Sequence, residues 1–215
     1  MEAEVDGVWS RLLAQPFAVL MAVIGVGFAL TAIVLPLHQL TEATASATVQ
    51  VAAQDATDNL ARLPGIPGAA VLEPTDSDGL TVTLTATAGA DGQPVPATLR
   101  LLSEAGTALW AASLAVIFGL LTGIIMRIGS ADPFAAENAR RLVGIAAAIV
   151  VGSVGADTLN WLNATVIYDF VAAKPPIVVT PYYSLLPLLL AALVLVLASA
   201  FRRGQRIQAD VEGLV

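Results

Sequence analysis

Residues able to do chemistry are sparse in this chain, and their types exclude most catalytic options before any fold is considered. There is one histidine, His38, and no cysteine. Disulfide staples, thiolate metal sites and cysteine nucleophiles are therefore excluded, and a histidine-built zinc site lacks its ligands. The chain contains no G-x-x-x-x-G-K phosphate loop, no H-E-x-x-H helix and no G-x-S-x-G nucleophile turn. Asn163-Ala164-Thr165 forms a glycosylation sequon, a three-residue pattern of little weight. The expectation is a protein that is not an enzyme and calls for no cofactor or metal. One carboxylate stands out, Asp157, because it lies inside an apolar run. An ionisable group in hydrocarbon is costly, so it serves either proton or substrate chemistry or a hydrogen-bonded structural role. Counted along a helix from Leu142 it lies about 22 Å in, toward the far interface where water is near. That depth, with Thr158 and Asn160 continuing the polar turn, favours the structural role.

The elements that must position these residues are membrane spans. Apolar residues make up 57% of the 215, charged residues only 13%, and the mean hydropathy is +0.79. Crossing about 30 Å of hydrocarbon takes about 20 apolar helical residues. Four stretches qualify, at 17–38, 108–126, 142–162 and 183–201. Glu2, Glu4 and Asp6 make the segment before the first run acidic where a cleaved signal needs basic charge, so that run reads as a span. Basic residues set the orientation. Alternation of four spans puts Arg11, Arg127, Arg140, Arg141, Arg202, Arg203 and Arg206 on one side, leaving Arg62, Arg100 and Lys174 on the other. Both termini are expected in the cytoplasm of a cell-membrane protein. That leaves 1–16 as a cytoplasmic N-terminus, 127–141 as a cytoplasmic loop, 202–215 as a cytoplasmic tail and 163–182 as an outer loop. A net charge of −7 argues against direct nucleic-acid binding, which needs a concentrated basic surface.

Residues 39–107 are polar and rich in Thr, Ala, Gly and Pro. Leu80, Val82, Leu84 and Ala86 alternate with threonines, the period of a half-buried strand. Asp91-Gly92 marks a turn before a second expected strand, Val95 to Leu102. A third is expected near Thr48 to Val51, and Ile177 to Thr180 supplies a fourth. The segment 61–79 reads as loop. The fold class expected is membrane all-α, a four-transmembrane-helix bundle with a small β-rich extracytoplasmic insertion between spans one and two. Gly25 with Ala29, Gly119 with Gly123, and Gly144 with Ala148 and Gly152 recur at four-residue spacing, which lets helix backbones approach. Packing within the bundle is the favoured use of these ridges. A homo-oligomer interface is the other.

The short loop before the third span reads as a helix start, with Asp132 suited to the N-cap, Pro133 to the first position, and Glu137 able to pair with Arg140 or Arg141. After the last span, Phe201 to Val215 reads as a polar helix. These two stretches resemble the domain of unknown function 2975 family of bacterial four-span membrane proteins. Asp132, Pro133, Phe134, Glu137, Asn138, Arg141 and Leu142 match its D-P-F, E-N and R-L positions. Phe201, Gly204, Asp210 and Glu212 match its C-terminal pattern, with Ile207 where leucine is usual. The resemblance covers the three later spans and hardly touches the outer segment, which is longer than the family leads one to expect.

Members of the family resemble partners of small helix-turn-helix regulators, so the resemblance implies a regulatory role. The leading expectation is a regulatory or anchoring protein of the lipid bilayer, with an outer sensing domain and a cytoplasmic docking surface for a helix-turn-helix regulator. That surface is expected to use Asp132, Pro133, Phe134, Glu137, Asn138, Arg141, Phe201, Gly204, Asp210 and Glu212. A transporter or channel component using Asp157 and a structural subunit of a membrane complex are the alternatives. A transporter ordinarily gathers polar residues or broken helices at the midplane, and here Pro187 alone interrupts a later span.

Overall fold

The computed structural model describes residues 2–50, 73–74, 81–88, 92–128, 136–170 and 179–212. Among them are five helices and a small sheet: α1 (Glu2–Gln39), β1 (Ala45–Gln50), β2 (Glu73–Pro74), β3 (Thr81–Ala86), α2 (Ala97–Ser103), α3 (Ala105–Ile128), α4 (Ala136–Phe170) and α5 (Leu185–Glu212). Four helices are long and apolar enough to cross a membrane, through Ala14–Gln39, Ala105–Arg127, Ala136–Phe170 and Leu185–Ile207. Large apolar side chains stand bare along α1 and α5, with Val23 63% and Leu193 65% exposed. A water-facing helix does not carry such a stripe, whereas a lipid-facing one requires it. The chain thus has the character of a multi-pass membrane protein.

The chain divides into two compact units. Unit 1 holds Met1–Thr31, Ala111–Ser153 and Ser184–Val215. Its core is Ile124 of α3, Leu142 and Ile145 of α4, and Ala198 of α5, flanked by Ile117, Leu120, Val194 and Phe201. Small residues set the closest approaches there, though not at every expected position. A methyl group on Gly25 would meet Phe118 Cβ at 3.2 Å, and one on Gly144 would meet Leu120 Cδ1 at 3.0 Å. One on Gly119 would meet nothing within 4 Å. Phe28 stacks on Phe118 with ring centroids 5.7 Å apart. Pro187 does not interrupt α5: it lies in the first turn, where a backbone N–H has no helical partner to lose.

Unit 2 holds Ala32–Trp110 and Val154–Tyr183. Its sheet has the order β1-β3-β2, with both pairings antiparallel. β1 pairs β3 from Ala45 opposite Ala86 to Gln50 opposite Thr81, so the threonine-alternating run and the run near Thr48 are strands, as the alternation predicts. β2 falls inside the segment read as loop. The expected strand Val95 to Leu102 is instead helical, as α2. Pro96 explains the difference: at the N-cap it is extended (φ −65, ψ 148), and its carbonyl accepts from the N–H groups of Leu99 and Arg100. The residues that follow, Ala97 to Leu102, include strong helix formers, and one turn is enough to bury Leu99. Gly92 has φ +71, the left-handed backbone of a turn, whereas Asp91 lies outside the described residues. So do Ile177 and Val178; Val179 and Thr180 are not in a strand. α4 runs on to Phe170, so residues 163–170 are helix and not loop.

Candidate functional site

Two groups of polar side chains are organised well enough to be sites. The first is in unit 1, where α3 ends and α4 begins. Glu137, in the first turn of α4, accepts from Arg141 Nη2 at 2.6 Å and is ion-paired with Arg127 of α3. Arg141 also donates through Nη1 to the carbonyl of Gly123. That seat exists because Gly123 has no side chain: a Cβ there would lie 2.7 Å from Arg141 Nη1 and 2.8 Å from its Cζ. The Arg141 side chain is 21% exposed and therefore only partly screened, whereas those of Arg127 and Glu137 are 42% and 43% exposed. The arrangement is a clamp that fixes the start of α4 against the end of α3, with the acidic member near the helix N-terminus, where the helix dipole favours it.

The residues expected on a docking surface separate accordingly. Asn138 is wholly buried at 0% exposure, so in this conformation it belongs to the interior and not to a contact face. Phe201 packs against the Ile124–Leu142–Ile145 core. Glu137 and Arg141 are held in the clamp. Gly204 is half-buried and Asp210 exposed on the last turns of α5, and the backbone of Glu212 closes that helix. Asp132, Pro133 and Phe134 lie outside the described residues. Asp157, in unit 2, is half-buried and engaged in an interaction of its own.

Residues 84–214 match the family described as protein of unknown function (DUF2975). The chain belongs to that family. The DUF2975 match begins within β3 and takes in α2, α3, α4 and all of α5, so both the clamp and the polar α5 extension fall inside it, while α1 and β1 do not. Nothing matches among curated proteins or among solved structures.

The second group is in unit 2 and was not foreseen as a site. A partly open cavity of about 150 Å³ is lined by Ser46, Ser103, Glu104, Thr107, Asn160 and Asn163, with one alanine. Its wall is built on β1, an edge strand whose free backbone groups need partners. The Ser46 N–H donates to Ser103 Oγ at 3.2 Å, and the Ser46 carbonyl accepts from Asn163 Nδ2 at 2.9 Å. Glu104 sits in the one-residue break between α2 and α3, and its Oε1 accepts from Gln39 Nε2 at 3.3 Å. Arg100 donates to the carbonyls of Leu40 and Glu42, holding the turn that leads into β1. The clue in the sequence is the spacing Asp157, Asn160, Asn163, which repeats a polar residue every three positions of a helix. Nothing local announces Glu104 or Ser46.

Proposed function

We propose that the chain is a regulatory or anchoring protein of the bacterial cell membrane and not a catalyst. In this reading the spans form a bundle, both termini are cytoplasmic and unit 2 faces the outside, where it responds to a state of the envelope. The cytoplasmic face, made by the 132–142 segment and the tail after Phe201, docks a partner. The resemblance that implies small helix-turn-helix regulators points to a protein surface as that partner, consistent with a net charge of −7 that leaves DNA itself unattractive.

One observation carries the reading. α5 extends well past Phe201: that residue packs on the core, and the helix continues to Glu212. Along that extension Arg202, Arg203, Arg206 and Asp210 are exposed, and Ile207 is 64% exposed. A flank that only sets topology needs the arginines, which anionic headgroups favour. It does not need the helix to continue past Ile207, where the apolar segment ends, to Asp210 and Glu212. The clamp supports the same reading, because Glu137, Arg141 and the buried Asn138 can hold the 132–142 segment in place for contacts made by its neighbours. The small-residue ridges leave room for a homo-oligomer as well.

Deleting residues 208–215 tests this. Among the described residues no member of this core lies beyond Phe201, so insertion and thermal stability should be unchanged while co-purification of a cytoplasmic partner from native membranes is lost. A truncated protein that keeps every partner of the full-length chain would show that the tail is only a flank.

A further inference from the structure

The cavity in unit 2 has the chemistry of a cation site for a ligand that donates hydrogen bonds. It carries one carboxylate, Glu104, and no basic side chain among its lining residues. Asn163 is 2% exposed. Its amide orientation is settled by the Ser46 carbonyl, which can only accept, so Nδ2 faces Ser46 and Oδ1 is left as an acceptor. That Oδ1 is buried and has no hydrogen-bond partner. A buried acceptor is ordinarily paired, with protein, water or a ligand. Ser103 is already committed, donating to the Leu99 carbonyl and accepting from Ser46. A ligand that brings positive charge to Glu104, whose carboxylate can accept more than the single bond from Gln39, and a donor to the side of the cavity lined by Asn163 fits these groups.

We propose that this cavity binds a primary ammonium group. An ammonium has three donors on a compact charge, enough to bridge Glu104, Asn163 and a neutral oxygen from Thr107 or Asn160. A divalent metal ion is a poorer match, since it draws on several carboxylate and carbonyl oxygens and the cavity offers a single carboxylate. The volume, about 150 Å³, is well above the roughly 10–15 Å³ in which a single water is held, which leaves room for a two-carbon amine. The location has a second implication. Gln39 ends the first apolar helix segment, and Glu104 immediately precedes the second, Ala105–Arg127. The cavity thus opens where spans meet the headgroup layer, and the ammonium comes either from an aminophospholipid headgroup or from a small soluble amine. The site stands whether or not the α5 tail docks a partner.

The test uses the full-length protein in two arms. In detergent, calorimetric titration compares ethanolamine with ethylene glycol, a neutral compound of nearly the same size. In nanodiscs of equimolar phosphatidylethanolamine and phosphatidylcholine, native mass spectrometry reads which lipid is retained. Ethanolamine should bind at least tenfold more tightly than ethylene glycol, and E104Q, which preserves an acceptor for Gln39, should remove that preference. Retention of phosphatidylethanolamine over phosphatidylcholine assigns the lipid as the source; ethanolamine binding without lipid selection assigns a soluble amine. If E104Q does not fold, the comparison of ligands on the unaltered protein still decides. No preference in either arm, or a preference that survives in folded E104Q, overturns the proposal and leaves the cavity to water.

Discussion

Replacing Gly106 by alanine tests whether α3 and α4 touch where the structure of unit 2 places them. Gly106 is buried, and a Cβ built on it would run into Asn160 Oδ1 and lie 2.7 Å from Asn160 Cγ and 2.9 Å from the carbonyl oxygen of Ala156. The asparagine can swing away, but the Ala156 carbonyl is helix backbone and cannot. Relieving that contact toward a separation of about 3.5 Å requires the helices to part by roughly half an ångström. Overpacking of this kind costs about 1–3 kcal/mol. Against it stands the gain of about 1 kcal/mol from replacing glycine by alanine in a helix. The displaced Asn160 shifts the balance to a net loss of about 1–2 kcal/mol, or a fall in Tm of about 2–8 °C for a chain of this size. Gly119→Ala is the matched control. It makes the same change in the same helix, where the new methyl meets nothing within 4 Å, so Tm should hold or rise. Thermal unfolding of the detergent-solubilised proteins, followed by tryptophan fluorescence, reads both. Equal effects of the two substitutions, or a rise for Gly106→Ala, would refute the packing argument.

Arg141→Ala should destabilise unit 1 more than Arg127→Ala. Arg141 is 21% exposed and also serves the Gly123 carbonyl, against 42% exposure for Arg127; the expected costs are about 1–3 kcal/mol and under about 1 kcal/mol, and denaturation midpoints in the same detergent that rank them the other way would remove the clamp from the account. Reporter fusions at Asp91 and after Val215 should report opposite sides of the membrane, and finding both on one side would rule out four spans with cytoplasmic termini. Asp157→Asn keeps the hydrogen-bonding shape and removes the charge, so a folded variant should retain expression level and any assayable function. Complete loss of function in a well-folded Asp157→Asn protein would return the residue to proton or substrate chemistry.

Much of this protein was legible in local sequence. Each spanning helix must satisfy the bilayer by its own composition and length, so the four apolar runs declare themselves one at a time, without reference to their neighbours. The Leu80 to Thr87 alternation declares β3 for a similar reason, because period two is a property of the strand alone. The pairing of Glu137 with Arg141 is also local, an i,i+4 contact on one helix. Legibility ended where local signals competed. Val95 to Leu102 carries residues compatible with either period, and the N-cap at Pro96 decided for helix.

What the sequence could not decide was which distant groups would meet. Gly123 and Gly119 look alike along the chain, yet one seats the Arg141 guanidinium and the other faces open space. Asn138 reads as a surface residue of a polar loop, and packing of α4 put it at 0% exposure. Asn163 reads as half of a weak sequon, and it closes onto Ser46 across 117 positions of chain. The physical reason is that burial in lipid is charged to each helix separately, whereas a polar group's fate depends on which donor or acceptor the folded chain delivers to it, and only the tertiary structure sets that distance.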